Sequence, residues 1–194
     1  MKGCSPLTSP EITRTLAALD GAYALRDRAL FLLGLRTGLR ISELLAIKIG
    51  QVWSQGQIIP RLYAERGTIK GKREGRSLPI HPEAADALKA WLLDRIQQAG
   101  TLDSDAFLFS SRKGASQLTR QAAGRILRQA LSRAGVTGRK GTHCCRKTFA
   151  ARVYQSLGHD LLRTARALGH RSILTTTAYL SFRDEEIDGA ILAC

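Results

Sequence analysis

Apolar residues recur at helical spacing along nearly the whole chain, and the pattern breaks once, over residues 52–80. This restricts the fold to an α-rich (α+β) body, a helical bundle with one small antiparallel β-sheet or hairpin insert. Ser9-Pro10-Glu11 predicts a helix start, with a capping serine, proline at the first helical position and an acid near the dipole's positive end. Leu25, Ala29, Leu32 and Leu33 make a core-facing stripe over residues 22–36, and Gly38 can supply the left-handed turn that ends this helix. A short helix is expected over 41–47, then longer ones over 82–98, 118–134 and 143–157, and two short ones over 160–168 and 172–181. In the break, Val52, Ile58, Ile59, Leu62, Tyr63 and Ile69 lie among glycines and charged turn residues. A small antiparallel sheet is expected there, its last hairpin reading TIK-GKREG-RSLPI.

The 194 residues are enough for one domain with a full core, and no internal repeat or linker divides them. One domain over 1–194 is therefore expected, with a short N-terminal helical extension over 1–20 and a tail over 183–194. The start, MKGCSPLTSPE, has no apolar signal core, and no segment approaches the ~18 apolar residues of a membrane span. Cys4, Cys144, Cys145 and Cys194 form no C-x-x-C spacing and read as reduced thiols, with Cys144 and Cys145 as small apolar filler on a helix. A protein of the bacterial cytoplasm, with no membrane partner, is expected.

Charge narrows the choice of partner. There are 30 Lys+Arg against 16 Asp+Glu, a net charge of +14. Residues 106–159 contain no acid, yet hold Arg112, Lys113, Arg120, Arg125, Arg128, Arg133, Arg139, Lys140, Arg146, Lys147 and Arg152. A charge run is ordinarily a solvated face. So long a stretch without an acid would repel itself unless a polyanion lay nearby, which favours nucleic acid.

Five side chains then carry the chemistry: Arg40 in TGLRISELL, His143 and Arg146 in THCCRKTF, His170 in ALGHRS and Tyr179 in TTTAYLS. His143 and Arg146, at i and i+3 of one predicted helix, can reach the same phosphate. Arg40 follows the Gly38 turn at a helix mouth, with Glu43 placed to brace its side chain. Singly, each has a bland explanation: a chance H-x-x-R, a surface arginine, a structural histidine, a half-buried tyrosine. Together, two guanidiniums, two imidazoles and a phenol suit the task of holding a dianionic phosphorus transition state while a phenolic oxygen attacks. The sequence has no carboxylate cluster of the kind that holds Mg²⁺, so neither a metal nor another cofactor is expected.

TGLRISELLAI, IKGKREGRSLPIHPEA, THCCRKTFAARV and LGHRSILTTTAYL, in that order and at these spacings, resemble the catalytic-domain motifs of the tyrosine recombinases, the phage integrase family. The resemblance covers residues 7–182. It implies that family's α-rich catalytic fold, with Arg40, His143, Arg146, His170 and Tyr179 at its active-site positions. A hairpin lysine completes the set, either Lys70 or Lys72. Lys70 is preferred because a strand end holds a side chain more firmly than a hairpin tip. The other lysine, with Arg73 and Arg76, is left for phosphate contacts, as are Arg120, Arg125, Arg128, Arg139, Lys140 and Lys147.

The implied mechanism makes Tyr179 the nucleophile, leaving a 3′-phosphotyrosyl link and a free 5′-hydroxyl. The link conserves the phosphodiester energy, so rejoining needs no ATP. Arg40 and Arg146 would clamp the non-bridging oxygens, His170 would donate a further hydrogen bond, and His143 would manage the tyrosine proton. The hairpin lysine would protonate the leaving oxygen. The expected partners are double-stranded DNA, further copies of the chain (dimer to tetramer) on that DNA, and accessory DNA-bending proteins. With 39 residues before Arg40, the family's N-terminal domain is expected to be absent, as in the short recombinases of fimbrial phase switching. Two alternatives stay open: a type IB topoisomerase-like enzyme, and a catalytically silent DNA-binding accessory protein.

Overall fold

The computed structural model describes residues 4–66, 74–111, 116–170, 172–180 and 191–192. Their contacts group into two compact units, Met1–Phe149 and Ala150–Cys194.

The first unit opens with α1 (Ser9–Ala18), capped one residue earlier than the sequence suggested. Thr8 Oγ1 accepts from the Glu11 N–H at 3.4 Å, and Glu11 Oε2 accepts from the Thr8 N–H at 2.8 Å. This reciprocal pair needs an acid three residues beyond the cap. Thr8 has Glu11 there, whereas Ser9 has Ile12, so Ser9 becomes the first helical residue. The same bonds hold the Glu11 carboxyl below its ordinary range.

Helix α2 (Ala24–Thr37) is the spine of this unit, with Ala29, Leu30, Phe31, Leu33 and Leu35 all buried. It begins two residues later than expected and is tied down at once. The buried Arg26 guanidinium bonds Asp27 Oδ1 at 2.8 Å and the Ser110 carbonyl at 3.1 Å, and lies 4.5 Å from the Tyr23 ring centre. The helix ends on Gly38, whose φ of 60° is the left-handed turn expected of it. After α3 (Ile41–Leu45), which stops two residues short of the expected 47, come two separate two-stranded antiparallel sheets in place of a single sheet. β1 (Trp53–Ser54) pairs with β2 (Gln57–Ile58), and β3 (Arg61–Arg66) pairs with β4 (Glu74–Pro79) in a register from Arg61↔Pro79 to Arg66↔Glu74. The expected strand TIK, with Lys70, Lys72 and Arg73, lies outside the described residues.

Helix α4 (Pro82–Ala99) packs on α2, while α5 (Arg120–Arg133) packs on α1 and α3. α5 buries Ala123, Gly124, Leu127, Ala130 and Leu131, and turns Arg125 and Arg128 to the exterior. Helix α6 (His143–Ser156) begins in the first unit and ends in the second.

In the second unit, α7 (Leu161–Leu168) packs on α8 (Ile173–Tyr179). Asp160 caps α7, accepting the Arg163 N–H at 2.8 Å. Of the tail over 183–194, only residues 191–192, which are helical, lie within the described part. No helix among the described residues is long and apolar enough to cross a membrane.

Candidate active site

Gly38 organises the surroundings of both candidate arginines. Arg146, three residues into α6 and only 2% exposed, donates from Nη1 to the Gly38 carbonyl. A side chain at position 38 would have its Cβ 2.8 Å from Phe149 Cγ and 2.9 Å from Cε1, so the turn and the Phe149 ring occupy the same space only because the residue is glycine. Two residues on, Arg40 stands at the cap of α3. Its backbone N–H donates to Glu43 Oε2 at 2.7 Å, and its side chain donates from Nη1 to Glu43 Oε1 at 3.2 Å. Glu43 therefore holds both the backbone and the side chain of Arg40, and both arginines are rooted on one turn. Arg40 keeps a side-chain exposure of 39%, so its fork is positioned yet reachable.

His143 is exposed on the first turn of α6, one helical step from the buried Arg146. Between them, Cys144 and Cys145 are buried, as apolar filler would be. Cys4 lies against Cys144, and the hydrogen bond between the two thiols lowers the Cys4 pKa to about 7, helped by the positive charge of Lys147 and Arg139. The same contact raises Cys144, and burial pushes Cys145 up to about 12. The segment behind Cys4 is held in place where the Leu7 N–H donates to Thr148 Oγ1 at 2.8 Å.

The second unit, by itself, carries the candidates His170 and Tyr179. Gly169 ends α7 in the left-handed conformation, and the His170 N–H returns to the Ala165 carbonyl at 2.9 Å, which fixes the histidine backbone. His170 Nδ1 lies 2.9 Å from Thr176 Oγ1. The half-buried Tyr179, last residue of α8, has its ring centre 5.4 Å from the His170 ring. The structure thus brings His170 and Tyr179 together, and adds Thr176, which the sequence does not single out. Thr176 lies in the same TTTAYLS segment, one helical step from Tyr179.

Of the expected DNA contacts, Arg120, Arg125 and Arg128 are exposed along α5, Arg139 is exposed beyond it, and Lys140 and Lys147 are half-buried. Arg76 is half-buried on β4, opposite Ala64. The fold does supply an acid to the acid-free stretch, because Arg133 pairs with Asp20 at 2.9 Å. Such an exposed pair is worth about 0–1 kcal/mol and leaves the other charges uncompensated by it. No group of three or more metal-ligating side chains occurs among the described residues.

Comparison with known proteins identifies the family. The model of the phage integrase family matches residues 6–186. Tyrosine recombinase XerC 1 of Ralstonia nicotianae is 36% identical over 169 residues, covering 84% of this chain and 51% of its own length. Tyrosine recombinase XerH of Campylobacter jejuni is 31% identical over 187 residues, covering 93% and 49%. Among solved structures, the XerH recombinase in a post-cleavage complex with palindromic difH substrate matches with a TM-score of 0.76 at 26% identity, covering 98% of this chain and 53% of that one. The XerA recombinase matches with a TM-score of 0.77 at 25% identity, covering 100% and 64%. The chain spans about half the length of the curated relatives it matches. From the family match and these relatives, the chain belongs to the phage integrase family, the tyrosine recombinases.

Proposed function

We propose that this chain performs the strand cleavage and rejoining of a site-specific DNA recombinase, with Tyr179 as the nucleophile. The observation that carries this reading is the Arg146 guanidinium, buried to 2% exposure and held by the Gly38 carbonyl two residues from the braced Arg40. Burying a charge is costly unless its surroundings hold it, and a structural role would be served as well by an apolar side chain. Two preorganised forks instead suit the non-bridging oxygens of a phosphodiester, where removing one such donor costs about 10²–10³ in rate.

In this mechanism Tyr179 Oη attacks the scissile phosphorus and the 5′ oxygen leaves, giving a 3′-phosphotyrosyl bond. A 5′-hydroxyl reverses the step. His143 takes the tyrosine proton, His170 donates a hydrogen bond to the phosphate, and Lys70 protonates the leaving oxygen. The family match over residues 6–186 supports reading the chain as one catalytic domain. Double-stranded DNA is the substrate, contacted through the exposed arginines of α5. The palindromic site carried by the XerH complex supports action by paired copies, since a two-fold site calls for a two-fold protein. The bacterial cytoplasm is the compartment in which such DNA is met.

The test is Tyr179→Phe on a nicked suicide substrate. The variant should still shift DNA in a gel and form no covalent adduct. An adduct of undiminished yield would remove Tyr179 from the nucleophile's place.

A further inference from the structure

We propose that Thr176 sets the tautomer of His170, keeping the imidazole proton on Nε2, where it can be donated to the scissile phosphate. The inference rests on the recombinase reading above for its functional consequence, but the tautomer itself follows from hydrogen-bond accounting in the second unit alone.

The three threonines of α8 have different surroundings. Thr175 is exposed, and the half-buried Thr177 donates its hydroxyl proton to the Leu174 carbonyl at 2.9 Å. Thr176 is 0% exposed, so water does not reach its hydroxyl. Among the described residues that hydroxyl has one hydrogen-bond partner, His170 Nδ1 at 2.9 Å. A hydroxyl carries a single proton, and a buried donor left without an acceptor is penalised. Two arrangements are possible for this pair. If Nδ1 carried the proton, it would donate to Oγ1 and leave the hydroxyl proton with nowhere to go. If Thr176 donates, Nδ1 accepts through its lone pair, every group is satisfied, and the neutral ring holds its one proton on Nε2.

The backbone keeps the pair in this relation. Gly169 is left-handed, the His170 N–H is bound to the Ala165 carbonyl at 2.9 Å, and Thr176 lies inside the regular part of α8. The chemical consequence concerns the sign of the interaction. An Nε2–H attracts a phosphate oxygen as negative charge develops on it, whereas an Nε2 lone pair repels it. Thr176 touches no substrate in this account. It is a positioning residue that acts through His170.

The experiment uses the full chain, with ¹⁵N spectra of the imidazole nitrogens, cleavage rates on the suicide substrate, and three variants. The chain has four histidines, so His170→Gln assigns the His170 signals by their disappearance. Thr176→Val keeps the shape and removes the hydroxyl, while Thr176→Ser keeps the hydroxyl. The wild type should show His170 as the Nε2–H tautomer. Thr176→Val should show mixed tautomers and cleave at least about tenfold more slowly, below the about 10²–10³ for losing a donor outright. Thr176→Ser should keep both tautomer and rate. A wild-type His170 protonated on Nδ1 would overturn the proposal, as would a Thr176→Val protein that retains the Nε2–H tautomer. Should Thr176→Val fail to fold, the wild-type tautomer still decides. If the wild type cleaved no DNA, the recombinase reading would fail, while the spectra would still decide what Thr176 does to His170.

Discussion

Replacing Gly38 with alanine tests the turn on which both arginines depend. Two costs combine at this position. A non-glycine residue at φ 60° sits in the left-handed region, a penalty of about 1–2 kcal/mol. The new methyl would also meet the Phe149 ring, 2.8 Å from Cγ and 2.9 Å from Cε1, well inside contact distance. Overpacking of this kind costs about 1–3 kcal/mol. Gly38→Ala should therefore destabilise the chain by about 2–5 kcal/mol, a large part of the 5–15 kcal/mol of an ordinary domain. The two costs can be separated by Phe149→Ala, which removes the ring from above the turn but leaves the backbone angle unchanged. In that background Gly38→Ala should cost only about 1–2 kcal/mol, so that the two substitutions couple by about 1–3 kcal/mol. Urea unfolding of wild type, both single variants and the double variant measures this directly. A Gly38→Ala cost below about 0.5 kcal/mol, or an equal cost in both backgrounds, would refute the close approach of Phe149 to the turn.

Three further outcomes are expected. DNA affinity should fall steeply with salt, and Arg125→Glu with Arg128→Glu should flatten the log–log slope by about 0.9 per lost phosphate contact while weakening all sequences alike. An unchanged slope would return α5 to a solvated face. Lys70→Ala should lose cleavage of a normal 5′ oxygen and regain it on a 5′-bridging phosphorothiolate, because a thiolate leaves without a proton; rescue of Lys72→Ala instead would move the acid to Lys72. Cys4 is buried, so iodoacetamide should reach it slowly, but with its pKa lowered to about 7 by the hydrogen bond from Cys144 it should be the first of the three buried thiols to be labelled as pH rises through 7. Cys145, held at about 12, and Cys144, raised by its contact with Cys4, should stay unmodified, and peptide mass mapping that found either labelled first would contradict the assignment.

The features legible in the sequence are the local ones. The Gly38 turn, the Arg40–Glu43 brace and the Gly169 stop lie within a few residues of the groups they serve, so spacing and backbone chemistry reveal them. The cap of α1 was misplaced by one residue although its signal was present, because a capping box depends on the residue three positions on and not on the cap alone. Illegible were the contacts that only the fold creates. Arg146 and the Gly38 carbonyl are 108 residues apart, and Arg133 and Asp20 are 113 apart. Charge composition identified the basic stretch but could not say which of its members an outside acid would meet. Thr176 was hidden differently. Six residues separate it from His170, a spacing with no meaning until the left-handed turn at Gly169 brings the imidazole onto α8.

The central claim is that Tyr179 joins covalently to DNA in a reaction driven by the protein's own cations. It is tested most directly by trapping the chain on a suicide substrate in EDTA, digesting the adduct and locating the nucleotide-bearing residue by mass spectrometry. The account predicts a 3′-phosphate ester on Tyr179 and on no other residue. A nucleotide carried by Tyr154, Ser172 or any other side chain, or an adduct that forms only when a divalent metal is restored, would contradict it.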